Sequence, residues 1–172
     1  EKERVKLAFL KKDADFIIDT SKLLTRELRQ ELEKIFLKHQ EYCNMFVTVL
    51  SFGFKYGIPE DADLVFDVRF LPNPYYSEDL RLLTGEDQSV RDYVMQGGTC
   101  AQFLDKLYDM MDFLLPNYIN EGKNQLVVAV GCTGGKHRSV TVARALCAHL
   151  TARAEYGIKI EHRDIDKDNK RK

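Results

Sequence analysis

No stretch of this chain constrains its fold as tightly as Gly131-Cys132-Thr133-Gly134-Gly135-Lys136-His137-Arg138-Ser139. A β-branched run, Gln125 to Val130, leads into it, and an apolar-periodic segment, Ser139 to Ala152, leads out. It therefore reads as the loop between a buried strand and the start of a helix. Three physical effects converge there. Glycines permit the positive φ angles that gather successive N–H groups into a concavity, a helix N-terminus adds partial positive charge, and Lys136 and Arg138 add formal charge. Arg138 can also fork onto two oxygens of one phosphate. The pattern predicts a site for a phosphate or sugar phosphate, with Thr133, Gly134 and Gly135 offering backbone donors. The alternative is a tight glycine turn with surface cations. His137 either donates to a bound phosphate or simply neighbours the helix cap.

The rest of the chain repeats this alternation. Asp15 to Thr20 reads as a short strand. After Ser21, Leu24, Leu28, Leu32, Ile35 and Phe36 recur at helical spacing. Phe46 to Phe52 is a near-continuous β-branched and aromatic run, as in a strand covered on both faces. Leu64 to Phe70 is a second strand, with Leu64, Phe66, Val68 and Phe70 on one face. Ser89 to Gln96 reads as a short helix. Thr99 with Gln102 has capping-box spacing for a longer one that Pro116 should close. Ala143, Leu146, Cys147 and Leu150 face inward on the helix after the loop, Ile158 to His162 is a last strand, and Arg163 to Lys172 reads as a frayed charged tail. The fold class this predicts is α/β, with a mainly parallel sheet and flanking helices.

The 172 residues suffice for one ordinary domain. Lys and Arg (26) nearly cancel Asp and Glu (27), leaving a net charge of -1 that gives no bulk electrostatic basis for nucleic-acid binding. No run approaches the ~18 apolar residues of a membrane span, and no signal peptide is apparent. The four cysteines form no CxxC pair and no zinc-type spacing with the histidines, so a reduced, cytoplasmic chain without a metal is expected. His39, His149 and His162 read as surface or structural residues. A start at Glu1 in a lysine-rich stretch suggests a piece of something longer.

Two further patterns bear on function. Cys132 to Arg138-Ser139 fits Cys-x5-Arg-Ser, the signature of phosphatases with a cysteine nucleophile. In that alternative a Cys132 thiolate attacks phosphorus, Arg138 holds the equatorial oxygens, and Asp67 serves as the acid if the fold brings it beside the loop. The other pattern is Asp67, Arg69 and Phe70-Leu71-Pro72-Asn73-Pro74-Tyr75-Tyr76, beyond a strand's carboxyl end, where parallel sheets bind ligands. Asp67 and Arg69 share a face and either meet the ligand or pair with each other. Asn73, Tyr75 and Tyr76 can stack on or hydrogen-bond a sugar.

Four segments in order give the chain a family resemblance: Ser51-Phe52-Gly53-Phe54-Lys55-Tyr56-Gly57-Ile58-Pro59, Asp67-Val68-Arg69-Phe70-Leu71-Pro72-Asn73-Pro74, Leu82-Leu83-Thr84-Gly85, and Gly131 to Val140. Over about residues 15 to 165 the chain resembles the C-terminal portion of the RapZ family, also called YvcJ-type nucleotide-binding proteins. The resemblance implies that residues 1–21 are the remnant of an N-terminal P-loop domain, 22–165 a sugar-phosphate-binding domain and 166–172 a charged tail. It implies a bacterial cytoplasmic protein, homo-oligomeric, whose ATP and GTP belong to the P-loop domain, leaving no cofactor in this chain. For enteric members it implies sensing of glucosamine-6-phosphate, binding of a small regulatory RNA and presentation of that RNA to an endoribonuclease. Where those members carry histidines, this chain has Tyr56 and Tyr75. The Lys170-Arg171-Lys172 end is either an RNA contact or a solvated charge run.

Overall fold

The computed structural model describes residues 14, 17–21, 23–36, 45–153 and 156–167. The chain divides into two compact units, Glu1–Tyr42 and Cys43–Lys172. In the first, helix α1 spans Thr25–Phe36, where the leucine spacing predicts it. Its start is half a capping box: the Glu27 carboxylate reaches back to accept the Leu24 N–H at 2.9 Å. The strand expected over 15–20 is not found. Asp15 and Phe16 lie outside the described residues, and 17–20 have no regular structure, with Ile17 exposed. A run of β-formers becomes a strand only where another strand takes its backbone hydrogen bonds.

The second unit is built on four parallel strands: β1 (Phe46–Gly53), β2 (Leu64–Asp67), β3 (Gln125–Cys132) and β4 (Gly157–His162). Their order is β2-β3-β1-β4, and Gly53 pairs with Cys132 at the carboxyl ends of the two central strands. The helices are α2 (Glu78–Arg81), α3 (Gln88–Met95), α4 (Thr99–Asn120) and α5 (Arg138–Thr151). Helix α5 packs across β1, β3 and β4, with α3 and α4 against it. Val47, Val49, Val128, Val130, Leu146 and Leu150 are wholly buried between them. The central strands are almost entirely buried, whereas β2 and β4 alternate between covered and open residues, which explains the continuous apolar runs in β1 and β3 and the alternation at the edges.

Several boundaries differ from the sequence reading. β2 stops at Asp67, and Phe70, expected on one face with Leu64, Phe66 and Val68, is 56% exposed whereas Val68 is buried. Thr99 is the first residue of α4 rather than its cap; Gly98 holds that position at φ 79°. Pro116 does not end α4, which continues to Asn120. The missing N–H costs one bond, to the Asp112 carbonyl, and burial of Leu115 with packing of Tyr118 and Ile119 holds the last turn. Cys147 is only partly buried. The expected frayed tail is ordered to Lys167: Arg163 N–H donates to the Ser51 carbonyl, and Asp164 is 1% exposed. Residues 168–172 lie outside the described residues.

Candidate functional site

β3 delivers Cys132 to the end of the sheet, and the loop then winds around its sulfur. Gly135 N–H donates to Cys132 Sγ at 3.3 Å, and the Ser139 hydroxyl lies 3.1 Å from the same atom. Gly135 has φ 76°, and a Cβ there would stand 2.7 Å from Gly53 N and 2.8 Å from Asp164 Cβ. Loop and β1 end thus touch through backbone, which only glycine allows. Asp164 supports the contact from behind, accepting Gly53 N–H at 2.8 Å and pairing with Arg163 and Lys167. Burial alone would push its carboxyl up, but those two cations and the Gly53 amide outweigh it and hold it below the ordinary carboxylate value. On the other flank Gly85 N–H donates to the Lys136 carbonyl at 2.9 Å.

This packing buries the loop's charged side chains. Lys136 and Arg138 are each 5% exposed and His137 is 7% exposed. Lys136 Nζ donates to the Leu82 carbonyl at 2.8 Å. Arg138 donates to the carbonyls of Arg69 (2.6 Å) and Leu71 (3.3 Å) and to the Thr133 hydroxyl (3.2 Å). All of these acceptors are neutral. Among the described residues no carboxylate forms an ion pair with either cation, an arrangement that is costly unless an anion completes it. Among the described residues Arg138 Nε and His137 Nε2 are buried and meet no hydrogen-bond partner. Burial, then the neighbouring Lys136 charge, lowers the His137 pKa, so its ring is neutral near pH 7.

These residues line a cavity of about 650 Å³, whose wall includes Cys132, Thr133, Gly134, Lys136, His137 and Arg138. Of the loop residues singled out from sequence, Gly135 and Ser139 lie behind this wall and shape it. Of the second constellation, only Asn73 with Tyr75 and Tyr76 reaches the cavity. Asn73 Oδ1 accepts the Tyr75 N–H at 3.4 Å and starts the 3-10 turn Pro74–Tyr76. Asp67 and Arg69 take the other course foreseen for them: Arg69 donates to both carboxylate oxygens of Asp67 and stacks on the Phe54 ring, 4.3 Å from its centroid. Hydrogen bonding from Arg69 holds the Asp67 carboxyl below its ordinary value, so it is ionised and engaged outside the cavity.

Three lining residues escaped sequence reasoning: Lys55, Arg81 and Leu82. Lys55 follows the end of β1 and carries a positional signal, since strand ends flank the site. Arg81 and Leu82 come from a four-residue helix and its end, which have no periodicity to find. His149 and His162 are structural, His149 on Asp112 (3.1 Å) and His162 on the Ser51 hydroxyl (2.8 Å). His39 lies outside the described residues. Among the described residues no group of three or more His, Cys, Asp or Glu side chains is placed to hold a metal ion, and no helix is long and apolar enough to cross a membrane.

The sequence profile of the RapZ C-terminal domain matches residues 45–166, the whole sheet and the loop. The chain belongs to the RapZ C-terminal domain family. The RapZ C-terminal domain seen here is similar to a nucleotide-binding protein of Agathobacter rectalis, 64% identical over 166 residues that cover 96% of this chain and 57% of that protein. A nucleotide-binding protein of Lachnoclostridium phytofermentans is 60% identical over 97% of this chain and 58% of its own length. One from Acetivibrio thermocellus is 54% identical over 98% and 57%. The chain thus spans somewhat more than half the length of these curated relatives.

Proposed function

We propose that this RapZ C-terminal domain is a regulatory ligand-binding module that takes a phosphorylated metabolite, an amino sugar phosphate or a sugar nucleotide, at the 131–139 loop. The observation that carries this reading is the pair of buried cations, Lys136 and Arg138, facing one cavity with no carboxylate ion-paired to either among the described residues. A phosphate brings about -1.5 to -2 charges and several strong acceptors, which suits Arg138 Nε and His137 Nε2 as well. Thr133 and Gly134 supply polar backbone at the wall, and Asn73 is placed to meet the sugar. In this reading the resting contacts of Lys136 and Arg138 with carbonyls hold both side chains ready, and the anion joins or replaces these neutral acceptors.

Calorimetry of the chain against glucosamine-6-phosphate, inorganic phosphate and UDP-N-acetylglucosamine tests this. Saturable binding that Arg138→Ala abolishes supports it, and no binding by any of the three contradicts it. The cysteine-phosphatase alternative draws on Cys132 Sγ at the cavity wall with a backbone N–H donated to it. It needs an acid, and Asp67 is ionised and paired with Arg69. If a thiolate attacks, Cys132→Ser abolishes hydrolysis of an aryl phosphate; if the loop only holds its ligand, the variant still binds phosphate.

For the longer proteins, we propose a cytoplasmic, oligomeric assembly in which nucleotide, ATP or GTP, binds outside this module. The relatives' name, nucleotide-binding protein, supports that part. An adapter role, handing a small RNA to an endoribonuclease, is tested by titrating structured RNA at rising salt. Binding that weakens steeply with salt supports it, and negligible affinity at low salt removes it.

A further inference from the structure

The cavity that holds the 131–139 loop is one-sided in charge and in hydrogen bonding. Lys136 and Arg138 reach it from the loop, and among the described residues no carboxylate lines it. Three oxygens of its lining residues already serve protein donors. The Leu82 carbonyl accepts Lys136 Nζ at 2.8 Å, the Thr133 hydroxyl accepts Arg138 Nη2 at 3.2 Å and Asn73 Oδ1 accepts the Tyr75 N–H at 3.4 Å. A ligand ammonium placed here meets like charges and no anionic partner, which costs affinity, whereas a neutral amide carries no such cost. The lining also has an apolar part. The two most exposed large apolar side chains among the described residues, Tyr76 at 80% and Leu82 at 70%, both belong to it. Pro74 and the Asn73 cap fix the turn that presents Tyr76, so little ordering is still to be done. With Oδ1 turned to the Tyr75 N–H, the Asn73 Nδ2 group has two N–H donors to offer a carbonyl oxygen.

We infer that the site selects an amino sugar phosphate whose amine is acylated and rejects the free ammonium form. The phosphate sits on Lys136 and Arg138, the acyl carbonyl accepts from Asn73 Nδ2, and the acyl methyl lies on Tyr76 and Leu82. The discrimination is built from a repulsion as well as a contact: the cations that hold the phosphate oppose a third positive charge beside it. This inference rests on the anion-binding reading above and adds to it the charge and the substituent of the ligand's nitrogen.

Calorimetry of the 172-residue chain with N-acetylglucosamine-6-phosphate, glucose-6-phosphate, glucosamine-6-phosphate and inorganic phosphate tests it, using wild type, Tyr76→Ala and Arg138→Ala. The titrations are run at about pH 6.5, where a sugar amine is protonated. Tyr76 is exposed, so its truncation leaves the fold intact. N-acetylglucosamine-6-phosphate should bind at least about tenfold more tightly than glucosamine-6-phosphate, because the like charges are removed. Glucose-6-phosphate, with neither ammonium nor acyl group, should fall between them, about threefold weaker than the N-acetyl compound for want of the methyl contact. Tyr76→Ala should bring those two to within about twofold of each other. Glucosamine-6-phosphate binding as tightly as either of the others, an N-acetyl compound no tighter than glucose-6-phosphate, or an N-acetyl preference that survives Tyr76→Ala overturns the inference. Phosphate binding that depends on Arg138 still upholds the simpler reading in each of those cases. If none of these ligands binds, or Arg138→Ala changes nothing, both fall.

Discussion

Arg69 and Arg138 meet at one hydrogen bond, from Arg138 Nη1 to the Arg69 carbonyl, yet their guanidinium groups are satisfied in opposite ways. Arg69 is half exposed, grips both oxygens of Asp67 and lies on Phe54, so its charge is answered within the protein. Among the described residues Arg138 is buried and bonded to neutral oxygens, with no partner at Nε. Two arginines close in space differ in how their charge is answered: Asp67 bonds Arg69 directly and acts on Arg138 only as a charge at longer range, and that difference, more than exposure or spacing, sets the two apart.

The largest expected effect is that of Arg138→Ala, which should weaken phosphate binding at least about 100-fold by calorimetry, with the fold checked by circular dichroism. An equal loss on removing Arg69 would erase the contrast. Gly135→Ala combines a positive φ with a Cβ pressed on Gly53 and should lower stability by at least about 2 kcal/mol in urea denaturation.

Asp164→Ala leaves the Gly53 amide without its acceptor and should cost about 1–3 kcal/mol. The Asp164 carboxyl is held below its ordinary value of 3.8, so its contribution is complete above that value and is lost as pH falls below it toward the folded-state value. Asp164→Asn should lack this part of the acid sensitivity. Smallest is Asp67→Asn, an exposed partner of an exposed arginine, which should leave phosphate affinity within about twofold.

The sequence was most informative where one local rule governs. Continuous apolar runs marked β1 and β3, and glycines between a strand and a helix marked the 131–139 loop. It was least informative where tertiary packing overrides the local rule. Pro116 stays inside α4 because Leu115 beside it is buried and Tyr118 and Ile119 pack against the core, and Asp164 looked like part of a charged tail because nothing nearby in sequence reveals that it sits behind Gly53 and Gly135. For Asp67 and Arg69 the sequence left both roles open, since two side chains on one strand face can pair or point to a ligand, and only their rotamers distinguish the cases. Lys55 and Arg81 were missed because residues 55, 81 and 136 converge on the cavity wall only through the fold.

On the proposed reading, an anion completes Arg138 Nε and His137 Nε2, which meet no hydrogen-bond partner among the described residues. Side-chain nitrogen NMR of the chain during titration with inorganic phosphate reads both groups directly. Saturable shifts of the Arg138 Nε–H and His137 Nε2 resonances, with the Arg69 Nε–H nearly still, are the expected result. Phosphate added to saturation with Arg138 and His137 unmoved, or with Arg69 moving most, would contradict the account.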